Sequence, residues 1–219
     1  MGALTESNVS KLLDWSYTKA IEGIPGTDTA YELAESYLSK NSSPNKAIES
    51  LVKWQTTKCA TSGFLSGLGG IVVLPVAIPA NIASVIYVQM RMIASIAHIR
   101  GYDLKDDQVQ TFVYACLTGQ SVTELTKQAG IQIGLKVGQA QIKRIPGAVL
   151  TKINQRVGFR LVTKFGEKGI INLGKMVPLL GGVIGGSVDA VSTKVIASAA
   201  QKTFKPGGYD NSSKVILEV

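Results

Sequence analysis

The chain has one histidine, His98, the one imidazole that could serve as a base or a ligand. It stands near a helix end, two residues before Arg100, where a polar cap is the ordinary role. A Ser-His-Asp or Cys-His arrangement would have to be built on this single candidate. Metal-ligand spacings are missing: the chain has no C-x-x-C, no H-E-x-x-H and no Asp-rich calcium loop. Cys59 and Cys116 lie in apolar surroundings that suit buried, reduced thiols better than a disulfide. The GLGG at 67–70 lacks the third glycine of a dinucleotide loop, and no Gly-Lys-Ser/Thr follows it. These residue types point to no catalytic centre, no metal and no cofactor, and the protein is expected to be non-enzymatic.

Charge in apolar surroundings is the second kind of signal. Gln89 and Arg91 interrupt the most apolar stretch, and Asp189 interrupts a second one. A lone charge buried there is expensive unless it is paired. Gln89, Arg91 and Asp189 are therefore expected to share a hydrogen-bonded network, the alternative being that each faces solvent from its own helix.

The third signal is a basic block. The net charge is +8, yet residues 1–124 hold nine basic and eleven acidic side chains, and residues 125–188 hold ten basic and one acidic. Within that block Lys152, Arg156, Arg160, Lys164 and Lys168 recur every four residues. At helical pitch they form a slowly winding cationic stripe, with Val149, Ile153, Val157 and Leu161 on a neighbouring face. Such a helix favours an anionic bilayer surface, each cation near it giving about 1 kcal/mol. Nucleic acid would feel the same field, but only Phe159 and Phe165 could stack bases and no binding motif is present, so nucleic acid is disfavoured. A solvated face that keeps an apolar protein soluble is the plainest alternative.

The elements that must position these groups are read from periodicity. Thr5 or Ser7 caps a first amphipathic helix that the GIPG at 23–26 ends, and Thr27 or Asp28 starts a second that runs to about Lys40. Ser43-Pro44 gives an N-cap with proline at the first helical position. Residues 59–90 run without a charge, broken by Gly67, Gly69, Gly70, Pro75 and Pro79. Hydropathy alone makes 68–88 a membrane span, but the paired prolines and the lack of a second convincing span favour a buried core element. Beyond Pro79 a long helix stops at Gly101, another starts between Asp103 and Asp107, and others cover 121–144 and 147–165. The last begins near Pro178 and ends near Phe204. Glycines four apart (Gly63 and Gly67; Gly130, Gly134 and Gly138; Gly182 and Gly186) fit close helix packing. No stretch alternates with period two, so the fold is expected to be all-α, a compact multi-helix bundle around a central apolar helix interrupted by Gly and Pro.

The stretch GFLSGLGGIVVLPVAIPANIASVIYVQMRMIASIAHIRGYD resembles the core signature of the EcsC family. It joins a glycine-rich apolar turn, a Pro-x-x-x-Pro element, a Gln two residues before an Arg, an apolar helix and a Gly-Tyr-Asp stop. VPLLGGVIGGSVDAVSTKVIASAAQKTF at 177–204 is similar to the family's C-terminal helix. Asn81 stands where many members carry Asp. The resemblance runs from about Ile24 to Phe204 and implies a bacterial cytoplasmic setting. It brings no catalytic residues, and the family takes its name from a protein encoded beside an ABC transporter.

These readings give a single helical domain over 1–204 with a loosely structured tail over 205–219. The expected function is binding of lipid, or peripheral docking on anionic membranes. The basic helix would dock, while Gly67, Gly70, Pro75 and Pro79 shape an apolar cavity or insertion element. A soluble interaction protein that regulates a membrane transporter or another protein partner is the alternative. No secretory signal pattern opens the chain, so the expected location is the cytoplasm, at the membrane periphery if docking occurs.

Overall fold

The computed structural model describes residues 5–60, 80–128, 145–165 and 184–206, with backbone alone at the helix ends that border the other segments. Eight helices form among the described residues: α1 Glu6–Glu22, α2 Ala30–Lys40, α3 Pro44–Ala60, α4 Ala80–Ile99, α5 Asp107–Leu117, α6 Val122–Gln128, α7 Gly147–Phe165 and α8 Ile184–Thr203. No strand forms among them, and the fold is all-α as expected.

Local chemistry sets the ends. Thr5 caps α1 by accepting from the Asn8 N–H, and Gly23 closes it at φ 92°. The second helix starts later than the expected Thr27 or Asp28. Thr29 and Glu32 form a reciprocal capping box, which satisfies two N–H groups of the first turn. Thr27 belongs to the preceding turn, where its hydroxyl reaches the Ile24 carbonyl and the Tyr87 phenol. Ser43 Oγ accepts from Lys46 N–H, and Pro44 opens α3 as the Ser-Pro pair predicts. Gly101 stops α4 at φ 85°. The helices expected over 121–144 and from Pro178 are described over 122–128 and from Ile184; the remainder of each lies outside the described residues.

Helix α4 is the axis of the assembly, packed by α1, α2, α3, α5 and α8. Met90, Met92, Ile93 and Ile96 on it are fully buried, and burying one such side chain contributes roughly 1.5–3 kcal/mol. Ile82–Ile99 is the described helix long and apolar enough to cross a membrane, and 83% of it is buried inside the protein itself. The chain's own helices therefore cover this apolar surface. Helix α7 lies further out, against α1, α5 and α6, and α8 packs on α3, α4, α5 and α6.

Candidate anionic-surface site on helix α7

Helix α7 runs over the residues that its pattern assigns to it. The Pro146 carbonyl accepts from the N–H groups of Val149 and Leu150, so the chain turns directly into the helix after the proline. Val149, Ile153, Val157 and Leu161 are buried, as the spacing predicts, and they fix which side of the helix faces the protein. The cations follow from that choice. Lys152 and Arg156 are exposed, whereas Arg160 is half-buried. The Lys164 side chain and all of Lys168 lie outside the described residues.

Phe159 stands among these cations with 54% of its surface exposed. The Arg156 guanidinium carbon lies 5.9 Å from the centre of its ring, within cation–π range. Arg156, Phe159, Arg160 and Thr163 line a cleft of about 410 Å³, together with Thr118 from the turn between α5 and α6. Thr118 and Thr163 donate their hydroxyl hydrogens to the carbonyls of Ala115 and Phe159. The cations lining the cleft are the guanidiniums of Arg156 and Arg160, a group type suited to phosphate and carboxylate oxygens.

The opposite flank of α7 has a different character. A cleft of about 320 Å³ between α1, α5 and α7 is lined by Glu6, Asp14, Tyr114, Asn154 and Gln155, among others. Tyr114 donates to Asp14 Oδ1 at 2.9 Å, and burial, the largest cause, holds its phenol above the usual range. The helix thus separates an acidic, amide-rich cleft from a cationic one.

The polar groups of α4 divide between two faces. Gln89 is buried and its amide nitrogen lies 3.3 Å from Thr193 Oγ1 of α8. Arg91 is 3% exposed and donates through Nη1 to the Asp28 carbonyl at 2.8 Å, with its guanidinium carbon 5.5 Å from the Tyr87 ring centre. Tyr87 meets Thr27 at 2.9 Å, and Ser95 donates to the Ala30 carbonyl at 2.9 Å. Positions 87, 91 and 95 therefore tie the α1–α2 turn and the start of α2 to the core helix. Among the described residues no carboxylate lies within ion-pair distance of Arg91. The Asp189 side chain, the third member of the expected network, lies outside the described residues, as do Gly67, Gly70, Pro75 and Pro79.

His98 and Cys116 are two side chains whose chemistry could serve catalysis, and each has a hydrogen-bond partner in the fold. His98 Nε2 lies 3.2 Å from Glu35 Oε1, and its ring meets Tyr31 edge-on at 4.9 Å. Neither of the clefts beside α7 is lined by it. Cys116 is fully buried, hydrogen-bonded to Thr203, and burial pushes its thiol up to about 12. A thiol so protonated is a poor nucleophile. The Cys59 side chain lies outside the described residues. Among the described residues no group of three or more His, Cys, Asp and Glu side chains could hold a metal ion.

Sequence reading named Phe159 for base stacking and left out Thr118, Val191 and Val195. The exposure of Phe159 was open to it, because residue 159 follows Arg156 by three positions and shares its side of the helix. The model of the EcsC protein family matches residues 12–206. No curated protein and no solved structure matches the chain.

Proposed function

The chain belongs to the EcsC protein family, and on that footing we propose that it is a non-enzymatic protein that docks on anionic membrane surfaces through the outer face of α7. The observation that carries this reading is the split of α7 itself. Its apolar stripe is sealed against α1, α5 and α6, while Lys152, Arg156 and the exposed Phe159 ring face outward beside a cationic cleft. Cations that reach headgroup oxygens, next to an aromatic ring that settles at the interface, are the elements of peripheral docking. The burial of α4 by the chain's own helices supports a protein that lies on the bilayer rather than through it. The apolar element around Gly67, Gly70, Pro75 and Pro79 would add a lipid-binding cavity or a reversibly inserted segment.

The test is flotation of the full chain with phosphatidylcholine vesicles, with and without phosphatidylglycerol, at low and high salt. Binding to the anionic vesicles, weakened by salt, is expected. Lys152 and Arg156 are both exposed, so Lys152→Glu with Arg156→Glu should leave folding intact and weaken binding by at least about thirtyfold. Equal binding to neutral and anionic vesicles, or binding untouched by the double reversal, would remove the reading. The field would then pass to regulation of a protein partner such as a membrane transporter.

A further inference from the structure

Four large apolar side chains are exposed among the described residues: Trp54, Phe159, Val191 and Val195, at 52, 54, 63 and 49%. Single exposed apolar residues are ordinary on protein surfaces. Two of these four, Phe159 and Val195, however, border one turn. Thr118 lines the cleft that Phe159 also lines, and a methyl group placed on the adjoining Gly119 would come 3.1 Å from Val195 Cγ1. Helices α7 and α8 therefore both border Thr118–Gly119, α7 through Phe159 and α8 through Val195. Val191 stands one helical turn before Val195, and the exposed Lys194 lies between them in sequence.

Among the described side chains of α7 and α8 the charges around this edge have one sign; Asp189 of α8 lies outside them. Residues 147–163 and 190–206 contain no acidic residue, and Arg156 and Lys194 are exposed beside the apolar side chains. The neighbouring carboxylate, Glu124 of α6, already faces Lys202 at 3.9 Å. We infer that Phe159, Val195 and Val191 form a continuous edge that enters the acyl boundary of an anionic bilayer while Arg156 and Lys194 stay at headgroup depth. The inference rests on the docking reading above and adds two things: α8 is part of the docking surface, and the attachment has an apolar component that salt does not screen. Anionic lipid is the occupant that complements both parts, since it offers negative charge and an apolar layer a few ångströms apart. A surface of cations alone would be released by salt.

The experiment compares the wild type with Val191→Ser/Val195→Ser and with Val191→Leu/Val195→Leu, on the same phosphatidylglycerol-containing vesicles. Thermal melting of each variant confirms the fold. The wild type is expected to keep a fraction bound at high salt. The serine pair should lower partitioning there about tenfold while keeping the salt-sensitive attraction, and the leucine pair should raise it. A leucine pair that melts like the wild type and binds more tightly at high salt supports the apolar edge. Serine and leucine pairs that bind like the wild type at every salt concentration would overturn the apolar edge and leave electrostatic docking standing. A wild type that ignores anionic vesicles would overturn both readings and leave this surface to a protein partner.

Discussion

Arg91, in the middle of the core helix, donates a 2.8 Å hydrogen bond to the main-chain carbonyl of Asp28, in the turn that leads into α2. Among the described residues, that bond and the face of Tyr87 are set against this buried positive charge. A buried cation answered by a carbonyl and a ring holds geometry more than it adds stability. Arg91→Met, which keeps volume and removes the charge, should therefore be close to neutral in chemical denaturation. Arg91→Ala should cost about 2–4 kcal/mol through the cavity it leaves. Equal losses for the two variants would mean that the charge itself is needed, as a carboxylate partner would require.

Gln55 extends the same logic. It is fully buried on α3, and among the described residues neither of its amide atoms finds a hydrogen-bond partner. Replacing such a group with an apolar one of similar size recovers its desolvation penalty. Gln55→Met is expected to stabilise by about 1–2 kcal/mol in urea titrations. A clear destabilisation would show that the amide is needed where it lies.

Two glycines with left-handed backbone separate strain from crowding. Gly101, at φ 85°, has open space where a Cβ would go, whereas Gly119, at φ 81°, has Val195 3.1 Å away. Gly101→Ala should cost about 1 kcal/mol from backbone strain alone. Gly119→Ala should cost more, and adding Val195→Ala should recover only the excess. Additive losses in that double-mutant cycle would mean that Val195 and the turn are not in contact.

The thiol of Cys116 sets an alkaline limit. Its ordinary value is 9.0, and burial raises it to about 12 in the folded protein. The neutral thiol is thus favoured by folding: its contribution is complete below about 9 and is lost as pH rises from there towards 12. In a Cys59→Ser background, thiol labelling should be as slow as global unfolding at neutral pH. Fast labelling of the native protein would show that the site opens locally.

The acid limit has the opposite sign. Glu124 accepts from the Ser121 N–H at 2.8 Å while Ser121 Oγ accepts from the Glu124 N–H, and the first of these bonds is the main cause holding the carboxyl below its usual range. A lowered carboxyl contributes above its unfolded value and loses that contribution as pH falls through the folded one. Glu32, bonded to Thr29, behaves likewise. Glu124→Gln should flatten the fall in melting temperature across the acidic range. An unchanged profile would place the acid sensitivity elsewhere.

Much of this architecture was legible in the chain because it depends on neighbours in sequence. Thr5, Ser43-Pro44 and Gly101 mark helix ends through bonds and backbone freedom that span a few residues. The four-residue repeat of Val149, Ile153, Val157 and Leu161 marks the buried face of α7 for the same reason. The start of α2 was missed because three candidates stand within three residues. The reciprocal bonds of Thr29 with Glu32 decide among them, while Thr27 is drawn away to Tyr87, sixty residues along the chain.

By itself, then, the sequence determined an all-helical chain, a central apolar helix, a basic helix with one sealed face and membership of a family. The sequence reading expects Gln89 and Arg91 in one network with Asp189, although residues two apart on a helix point about 200° apart. Only the tertiary structure decided what each side meets: Thr193 of α8 for Gln89, and the Asp28 carbonyl for Arg91. Only it brought Phe159 to Thr118 and Val195 to Gly119. Periodicity tells which side of a helix is apolar, because that depends on residues a turn apart. Which distant helix covers that side, and which apolar side chains are left uncovered, is fixed by the packing of the whole chain.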